Sequence, residues 1–152
     1  MTEQSIAEAA AAVMSASDHH IRELGIEIVA VGPGTAVASM VVRPEMVNGL
    51  ATCHGGVIFS LADAAFGYAC NSHGGTAVAS GASIEFVSAA YEGDQLRADA
   101  NESHVAGRTG HYDIVVSREN VASRENRVSG DDTIIALFKG RSRRISDGAT
   151  AP

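Results

Sequence analysis

Aromatic residues and cysteines are scarce in this 152-residue sequence. There is no tryptophan, aromatic residues make up 5%, and the only cysteines are Cys53 and Cys70. The two cysteines follow neither a C-x-x-C pattern nor a metal-ligand spacing, so the sequence predicts neither a disulfide framework nor a zinc site. Each lies in or beside an apolar segment, where a buried free thiol is the usual state. The 16 glycines and many alanines indicate closely packed backbones rather than a core of large rings.

Positive charge and long apolar runs are also missing. The chain has 11 lysines and arginines against 18 acidic residues, a formal net charge of −7. Such a surface does not suit nucleic acid, whose binding depends on neutralising phosphates. No run approaches the roughly 20 apolar residues that cross a bilayer, and residues 1–16 lack the basic flank of a signal peptide. We therefore expect a cytoplasmic protein with neither a membrane nor a nucleic acid as its partner.

The apolar pattern predicts an α+β order of elements. In chain order the pattern predicts a helix (2–24, with Asp18-His19-His20 as a candidate break), a hairpin (26–42), a helix (55–71) and four strands (76–87, 94–105, 108–117 and 133–145). One antiparallel sheet curled around one apolar helix satisfies this order. We expect an N-terminal helix over 1–24, a single domain over 25–146 and a flexible tail over 147–152. The polar segment 118–132 is predicted to be a mobile hairpin tip.

The predicted helix over 55–71 is apolar around nearly its whole circumference, which predicts burial on all sides. It begins with His54-Gly55-Gly56. The first N–H groups of a helix have no intrahelical partners, and the helix dipole adds partial positive charge there. Because glycine lets a ligand oxygen approach the backbone, Gly55 and Gly56 are candidate donors to an oxyanion. The alternative is that they serve only to turn the loop tightly.

Asp63 is the only Asp, Glu, Lys or Arg among residues 46–84. An ionised carboxylate inside an apolar helix is costly unless it is paired or functional. Burial should raise its pKa, as suits a general base. The alternative is that Asp63 faces a wet gap between elements or caps another backbone segment.

The spacing of these two features has a geometric consequence. Gly55 and Asp63 are eight residues apart, which corresponds to about 12 Å along one straight helix. A donor that holds a carbonyl oxygen and a base that acts at its carbon must lie much closer together, so one helix cannot supply both. If both residues act, the site is shared by two subunits whose helices cross antiparallel at a two-fold axis. Function therefore implies a homodimer.

The same residues show a family resemblance. The segment Asn48-Gly49, followed by Cys53-His54-Gly55-Gly56-Val57-Ile58-Phe59-Ser60-Leu61-Ala62-Asp63, closely resembles the hotdog-fold thioesterases of the phenylacetic acid degradation (PaaI) type. The similarity covers roughly residues 15–146. It implies a hotdog fold, hydrolysis of an acyl-CoA of aryl-acetyl or hydroxyphenylacetyl type, and a dimer of dimers. Coenzyme A is then part of the substrate and product, and no separate cofactor is expected.

The resemblance also implies roles for individual residues. The backbone amide of Gly55 or Gly56 polarises the thioester carbonyl, and Asn48 helps to hold the carbonyl or the attacking water. Asp63 acts as a general base, or attacks directly to give a mixed anhydride. His54 orders the loop and is a candidate contact to the thioester.

Basic and hydroxyl side chains on the later strands are candidate contacts to the substrate. Lys139, Arg141 and Arg143 alternate along one predicted strand and therefore share a face, and guanidinium groups bind phosphates well. The alternative is a solvated outer face. The candidate substrate- and coenzyme A-binding residues are Ser80, Ser83, Arg108, Thr109, Arg141 and Arg143.

Other functions fit these residues less well. A hotdog hydratase or dehydratase needs a histidine paired with an acid to move a proton at carbon, whereas His54 precedes two glycines. A non-catalytic acyl-CoA-binding sensor would need an attached partner domain, for which no residues remain. A Cys53–His54 nucleophile pair lacks an orienting third group. His19, His20 and His73 fall near predicted helix ends, where surface positions are expected.

Overall fold

The computed structural model describes residues 1–120 and 132–147. The helices and strands in these ranges are α1 (Glu3–Ser17), α2 (His19–Glu23), β1 (Glu27–Gly32), β2 (Thr35–Val41), α3 (Gly55–Cys70), β3 (Thr76–Phe86), β4 (Gln95–Ala106), β5 (Thr109–Arg118) and β6 (Thr133–Ser146). The predicted elements are all present, with ends that differ by a residue or two. Most of the tip predicted for 118–132, and the predicted tail beyond 147, lie outside the described residues.

The N-terminal region forms two helices instead of one. The Thr2 side chain caps α1 by accepting a hydrogen bond from the Ser5 N–H, 3.1 Å away. At Asp18 the backbone leaves the helical conformation, and its carboxylate accepts from the Ile21 N–H at 3.3 Å. Aspartate is a favoured N-cap residue, so Asp18 both ends α1 and starts α2. The candidate break in the sequence is confirmed.

The six strands form one antiparallel sheet in the order β1-β2-β4-β5-β6-β3. The β1–β2 hairpin turns through Gly32-Pro33-Gly34, where Gly34 has a φ of +70°. Helix α3 crosses one face of the sheet and packs mainly on β2, β4 and β5. Strand β3 lies at one edge, where β6 is its sole partner in the described part of the chain. No helix in that part is long and apolar enough to cross a membrane.

Small residues and rings share the core between α3 and the sheet. Alanines cover the inner face of β2 and β4, as the composition indicated. However, the ring of Phe66 lies 5.5 Å from that of Tyr112 and 5.9 Å from that of Phe138, measured between centroids. A Cβ atom at Gly140 would lie 2.7 Å from the Phe66 ring. The interpretation that closely packed backbones replace large rings is therefore wrong in part, because the small residues make room for an aromatic cluster.

One stripe of α3 is not covered by the sheet. Gly56 and Asp63 are exposed, and Ser60 and Gly67 between and beyond them are partly exposed. These positions fall on one side of the helix because they are spaced three or four residues apart. The prediction of burial on all sides is wrong for the single chain, since this side carries only glycine, serine and aspartate. We call residues 56, 60, 63 and 67 the open stripe of α3.

Candidate active site

The two glycines at the start of α3 have different hydrogen-bond environments. The N-cap residue His54 accepts from the Gly56 N–H through its ring Nδ1, at 3.3 Å. The carbonyl of His54 accepts from Val57 and Ile58. No acceptor for the Gly55 N–H lies within the described residues. Of the two predicted donors, Gly55 is the one that is free to bind a ligand oxygen, with the positive end of the α3 dipole behind it.

A cavity of about 370 Å³ lies beside this free amide. It is lined by the start of α3 and by the segment 86–90 that follows β3. The ring of Phe86 is so close that a Cβ atom at Gly55 would lie 3.1 Å from it. A cavity of this volume matches the usual size of small-molecule sites. Glycine at position 55 therefore leaves the amide accessible next to an apolar wall.

Asn48 uses one end of its side chain to hold the loop before α3. Its Oδ1 accepts from the Leu50 N–H at 2.9 Å and from both the N–H and the hydroxyl of Thr52 at 3.2 Å. The Nδ2 group has no acceptor in the part of the chain that the structure describes. Asn48 thus has a hydrogen-bond donor left for a carbonyl oxygen or a water molecule.

Asp63 lies on the open stripe with an unpaired carboxylate. Within the described ranges it makes neither a hydrogen bond nor an ion pair. Partial burial raises the pKa of Asp63 above its ordinary value, the charge of Asp18 raises it further, and His20 opposes them. Because α3 runs without a break from Gly55 to Cys70, Gly55 and Asp63 of one chain are about 12 Å apart.

Both cysteines are free and buried, as predicted, with 4% and 3% of Cys53 and Cys70 exposed. Burial, followed by the charge of Asp94, raises the pKa of Cys53 to about 11. Burial, followed by the charge of Asp63, raises the pKa of Cys70 to about 12. A thiol acts as a nucleophile only when it is deprotonated, so neither cysteine is suited to that role at neutral pH.

The candidate substrate-binding residues fall into two groups. Ser80 lies on β3 beside Arg141 on β6, and its Oγ both donates to the Arg141 carbonyl at 3.1 Å and accepts from the Arg141 Nε at 3.2 Å. Ser83 on β3 lies opposite Lys139, and Arg143 lies opposite Val78 on β3 and Thr109 on β5. The other group, Arg108 and Thr109, lies at the start of β5, where Arg108 pairs with Asp147 at 3.3 Å. Lys139, Arg141 and Arg143 are all exposed along β6, so the prediction that they share a face is confirmed. No hydrogen bond in the described residues joins either group to Gly55 or Asp63.

Two histidines that the sequence placed at the surface have specific partners. The ring Nε2 of His20 lies 3.0 Å from the hydroxyl of Ser60 on the open stripe. His73 pairs with Glu102 at 2.7 Å. The sequence shows a helix break at 18–20, but local spacing cannot show that the following turn folds back onto α3. Phe86 was missed for the same reason, since its contact with Gly55 is tertiary.

A six-stranded antiparallel sheet packed on one central helix is the hotdog fold, which is found in a class of thioesterases. The model of the thioesterase superfamily matches residues 50–123. The chain is 42% identical over 137 residues to the acyl-coenzyme A thioesterase PaaI of Escherichia coli, and the match covers 90% of each protein. The chain therefore belongs to the PaaI-like acyl-CoA thioesterases.

Solved structures agree with this assignment. The structure of the E. coli PaaI protein from the phenylacetic acid degradation operon has a TM-score of 0.86 and 40% identity, covering 98% of this chain and 99% of that chain. The TT0310 protein of Thermus thermophilus has a TM-score of 0.74 and 30% identity, covering 84% of this chain and 98% of that chain. The family resemblance and the hotdog fold predicted from the sequence are both confirmed.

Proposed function

We propose that this chain hydrolyses an aryl-acetyl-CoA thioester, of the hydroxyphenylacetyl-CoA type, to the free acid and coenzyme A. The observation on which the proposal rests is the Gly55 N–H beside the cavity of about 370 Å³, on the same helix as the Asp63 carboxylate; neither group has a hydrogen-bond partner among residues 1–120 and 132–147. The choice of an aryl-acetyl group is supported by likeness to the E. coli PaaI protein, whose structure is described as that of a protein from the phenylacetic acid degradation operon.

The proposed mechanism assigns separate tasks to two positions on α3. The Gly55 N–H donates to the thioester carbonyl oxygen and stabilises the negative charge that develops there. Asp63, as a carboxylate, takes a proton from water while the water oxygen attacks the carbonyl carbon. The carbon–sulfur bond then breaks, and the coenzyme A thiolate recovers that proton. In the other form of the mechanism, the Asp63 carboxylate attacks the carbonyl carbon and the carbon–sulfur bond breaks, releasing the coenzyme A thiolate. Water then hydrolyses the mixed anhydride to the free acid and the Asp63 carboxylate, and its second proton goes to the thiolate.

Two copies of the chain are needed to build this site. One α3 holds its donor and its base about 12 Å apart, so the base that serves one Gly55 comes from a second copy. Strand β3 has 11 residues and a free edge, with Val78 and Phe86 exposed by 44% and 54%. A long apolar edge strand of this kind pairs readily with another strand. Antiparallel pairing of two β3 strands about a two-fold axis would place the open stripes of α3 together, and family likeness supports a dimer of dimers.

Coenzyme A contacts are assigned to the exposed side chains near this interface. Arg141 and Arg143 on β6, beside the edge strand β3, are available for phosphate groups. Ser80 and Ser83 lie on β3 itself, and Arg108 with Thr109 forms the second proposed contact region.

The environment of His54 supports hydrolysis over hydration. A hotdog hydratase requires a histidine paired with an acid to move a proton at carbon. The Nδ1 of His54 instead accepts from the Gly56 N–H, and among the described residues no carboxylate pairs with its ring. His54 is thus used as a helix cap, which is consistent with an oxyanion site and not with proton transfer at carbon.

The substitution Asp63→Asn tests the chemistry directly. Loss of a general base lowers the rate by about 10²–10⁴, and we expect kcat to fall by that factor on aryl-acetyl-CoA while binding of the acyl-CoA, measured by calorimetry, is retained. The wild type should show higher kcat/KM on aryl-acetyl-CoA than on straight-chain acyl-CoA, followed by thiol release.

Asp99→Asn is the matched control, because Asp99 pairs with Arg97 on β4 and has no proposed role. Wild-type turnover by Asp63→Asn would disprove the mechanism. A preference for straight-chain thioesters would disprove the assigned substrate class alone. Binding without turnover by the wild type would favour a non-catalytic acyl-CoA-binding protein.

A further inference from the structure

The short helix α2 lies against the open stripe of α3, one turn before Asp63. His20 Nε2 is 3.0 Å from Ser60 Oγ, although the two residues are 40 positions apart in the sequence. Ser60 precedes Asp63 by three residues, and residues with this spacing are neighbours on a helix surface. The contact therefore places an imidazole next to the carboxylate that is proposed to act in hydrolysis.

The hydrogen-bond pattern at Ser60 fixes the role of the His20 ring. The Ser60 hydroxyl donates its single proton to the Gly56 carbonyl oxygen, 3.1 Å away. Ser60 Oγ can then only accept from His20, so we assign the ring proton to Nε2. Nδ1 is then the acceptor nitrogen of the ring.

Asp18 and His20 act on Asp63 in opposite directions. Asp18 raises the pKa of Asp63, after the larger effect of burial, and His20 lowers it. Cys70 is the third ionisable group coupled to Asp63 in the described part of the chain. Asp18 accepts the N-cap hydrogen bond from the Ile21 N–H and faces Tyr68 of α3, whose pKa it raises after the larger effect of burial. Asp18 and His20 are therefore held by the same helical turn.

We propose that His20 is a positioning residue for the reaction: anchored by Ser60, its imidazole favours the carboxylate form of Asp63 and sets the acid limit of activity. Asp18, on the same helical turn as His20, has the opposite effect on Asp63. The inference rests on the proposed role of Asp63 as base or nucleophile, which requires the ionised form. Activity is lost as the pH falls through the pKa of Asp63, so a group that lowers this pKa extends activity to lower pH.

The test is the pH profile of kcat/KM for the full-length enzyme on an aryl-acetyl-CoA. His20→Gln keeps an N–H that can donate to Ser60 but removes the imidazole that lowers the pKa of Asp63. The acid limb of the profile, where activity falls with falling pH, should therefore move to higher pH by about half a unit. Asp18→Asn keeps the N-cap of α2, since asparagine caps as well as aspartate. Because Asp18 raises the pKa of Asp63, the acid limb of this variant should move to lower pH. Opposite shifts of this kind are not expected from a purely structural contact.

Two further variants separate the effect of the His20 side chain from the effect of its contact with Ser60. His19→Gln is the matched control, because the exposed His19 ring makes no hydrogen bond within the described residues, and its limb should coincide with the wild type. Ser60→Ala removes the hydroxyl that holds the His20 ring. The acid limb of this variant should lie between those of the wild type and His20→Gln. The double variant should then show no further shift, because the two residues act through one contact. Thermal unfolding of every variant establishes that each is folded.

The outcomes distinguish this inference from the proposed function. An unmoved acid limb in His20→Gln, with Asp63→Asn inactive, would overturn the inference and leave the function standing. Shifts of the same sign in His20→Gln and Asp18→Asn would also overturn it. Wild-type turnover by Asp63→Asn would overturn both.

Discussion

At the scale of single residues, the site depends on which backbone amide is left unbonded. Gly55 and Gly56 look equivalent in the sequence, but the His54 ring accepts from Gly56 and leaves Gly55 free. Asn48 shows the same division within one side chain, because its Oδ1 holds the loop and its Nδ2 remains available. Local hydrogen bonds thus select the groups that can meet a substrate.

Replacing Gly55 by proline tests the role of its N–H. Proline is tolerated at the first position of a helix, and the extended backbone of His54 (φ −59°, ψ 133°) suits the residue before a proline. The variant should fold yet lose the proposed oxyanion donor, which lowers kcat by about 10²–10³. The measurement is steady-state thioester hydrolysis, together with circular dichroism to compare folding.

Gly55→Ala is the control for size, because it adds a Cβ atom next to the Phe86 ring but keeps the N–H. Phe86 is 54% exposed and can move by a few tenths of an ångström, so we expect this variant to retain most of its activity. Equal losses in the two variants would mean that space beside Gly55, and not its N–H, is what matters.

At the scale of the elements, we propose that strand β3 pairs the chain with a second copy. It is the longest apolar edge in the described part of the sheet, whereas the opposite edge, β1, has six residues and is partly covered by α1. An edge of this kind presents unpaired N–H and C=O groups that a second β3 can satisfy. The strand pattern alone predicted β3, but its place at the edge follows from the order of all six strands.

Val78→Lys on β3 tests this interface, since charged side chains on an edge strand oppose pairing. Light scattering should show a shift toward the 15.6 kDa mass of the single chain, and thioesterase activity should fall in parallel because the site is shared. Val29→Lys on β1 is the matched control, as Val29 is similarly exposed, at 57% against 44%. A Val78→Lys protein that keeps both its assembly and its activity would contradict pairing through β3.

At the scale of the whole molecule, the proposed site exists only in an assembly. Subunits that carry Asp63→Asn still have Gly55, and subunits that carry Gly55→Pro still have Asp63. If the two inactive proteins are mixed and allowed to exchange, a mixed dimer contains one intact pair of residues. Random exchange should restore about a quarter of the wild-type sites, measured as the hydrolysis rate of the mixture.

Subunit exchange must be shown independently, for example with one affinity-tagged and one untagged protein. Each variant mixed only with itself provides the baseline. Proven exchange without any recovery of activity would argue that each chain builds its own site, and the 12 Å argument would fail.

The sequence by itself determined the order of the elements and which polar residues the central helix carries. The apolar pattern and the turn residues predict all six strands, and the lone Asp63 eight residues after Gly55 predicts a shared site, because these features depend only on neighbours along the chain. The tertiary structure alone decided which glycine amide is bonded to the His54 ring, which strand forms the edge of the described sheet, and that α2 brings Asp18 and His20 to α3. Such contacts join residues that are far apart along the chain, 40 positions for His20 and Ser60 and 61 for Ser80 and Arg141, and no local periodicity encodes them.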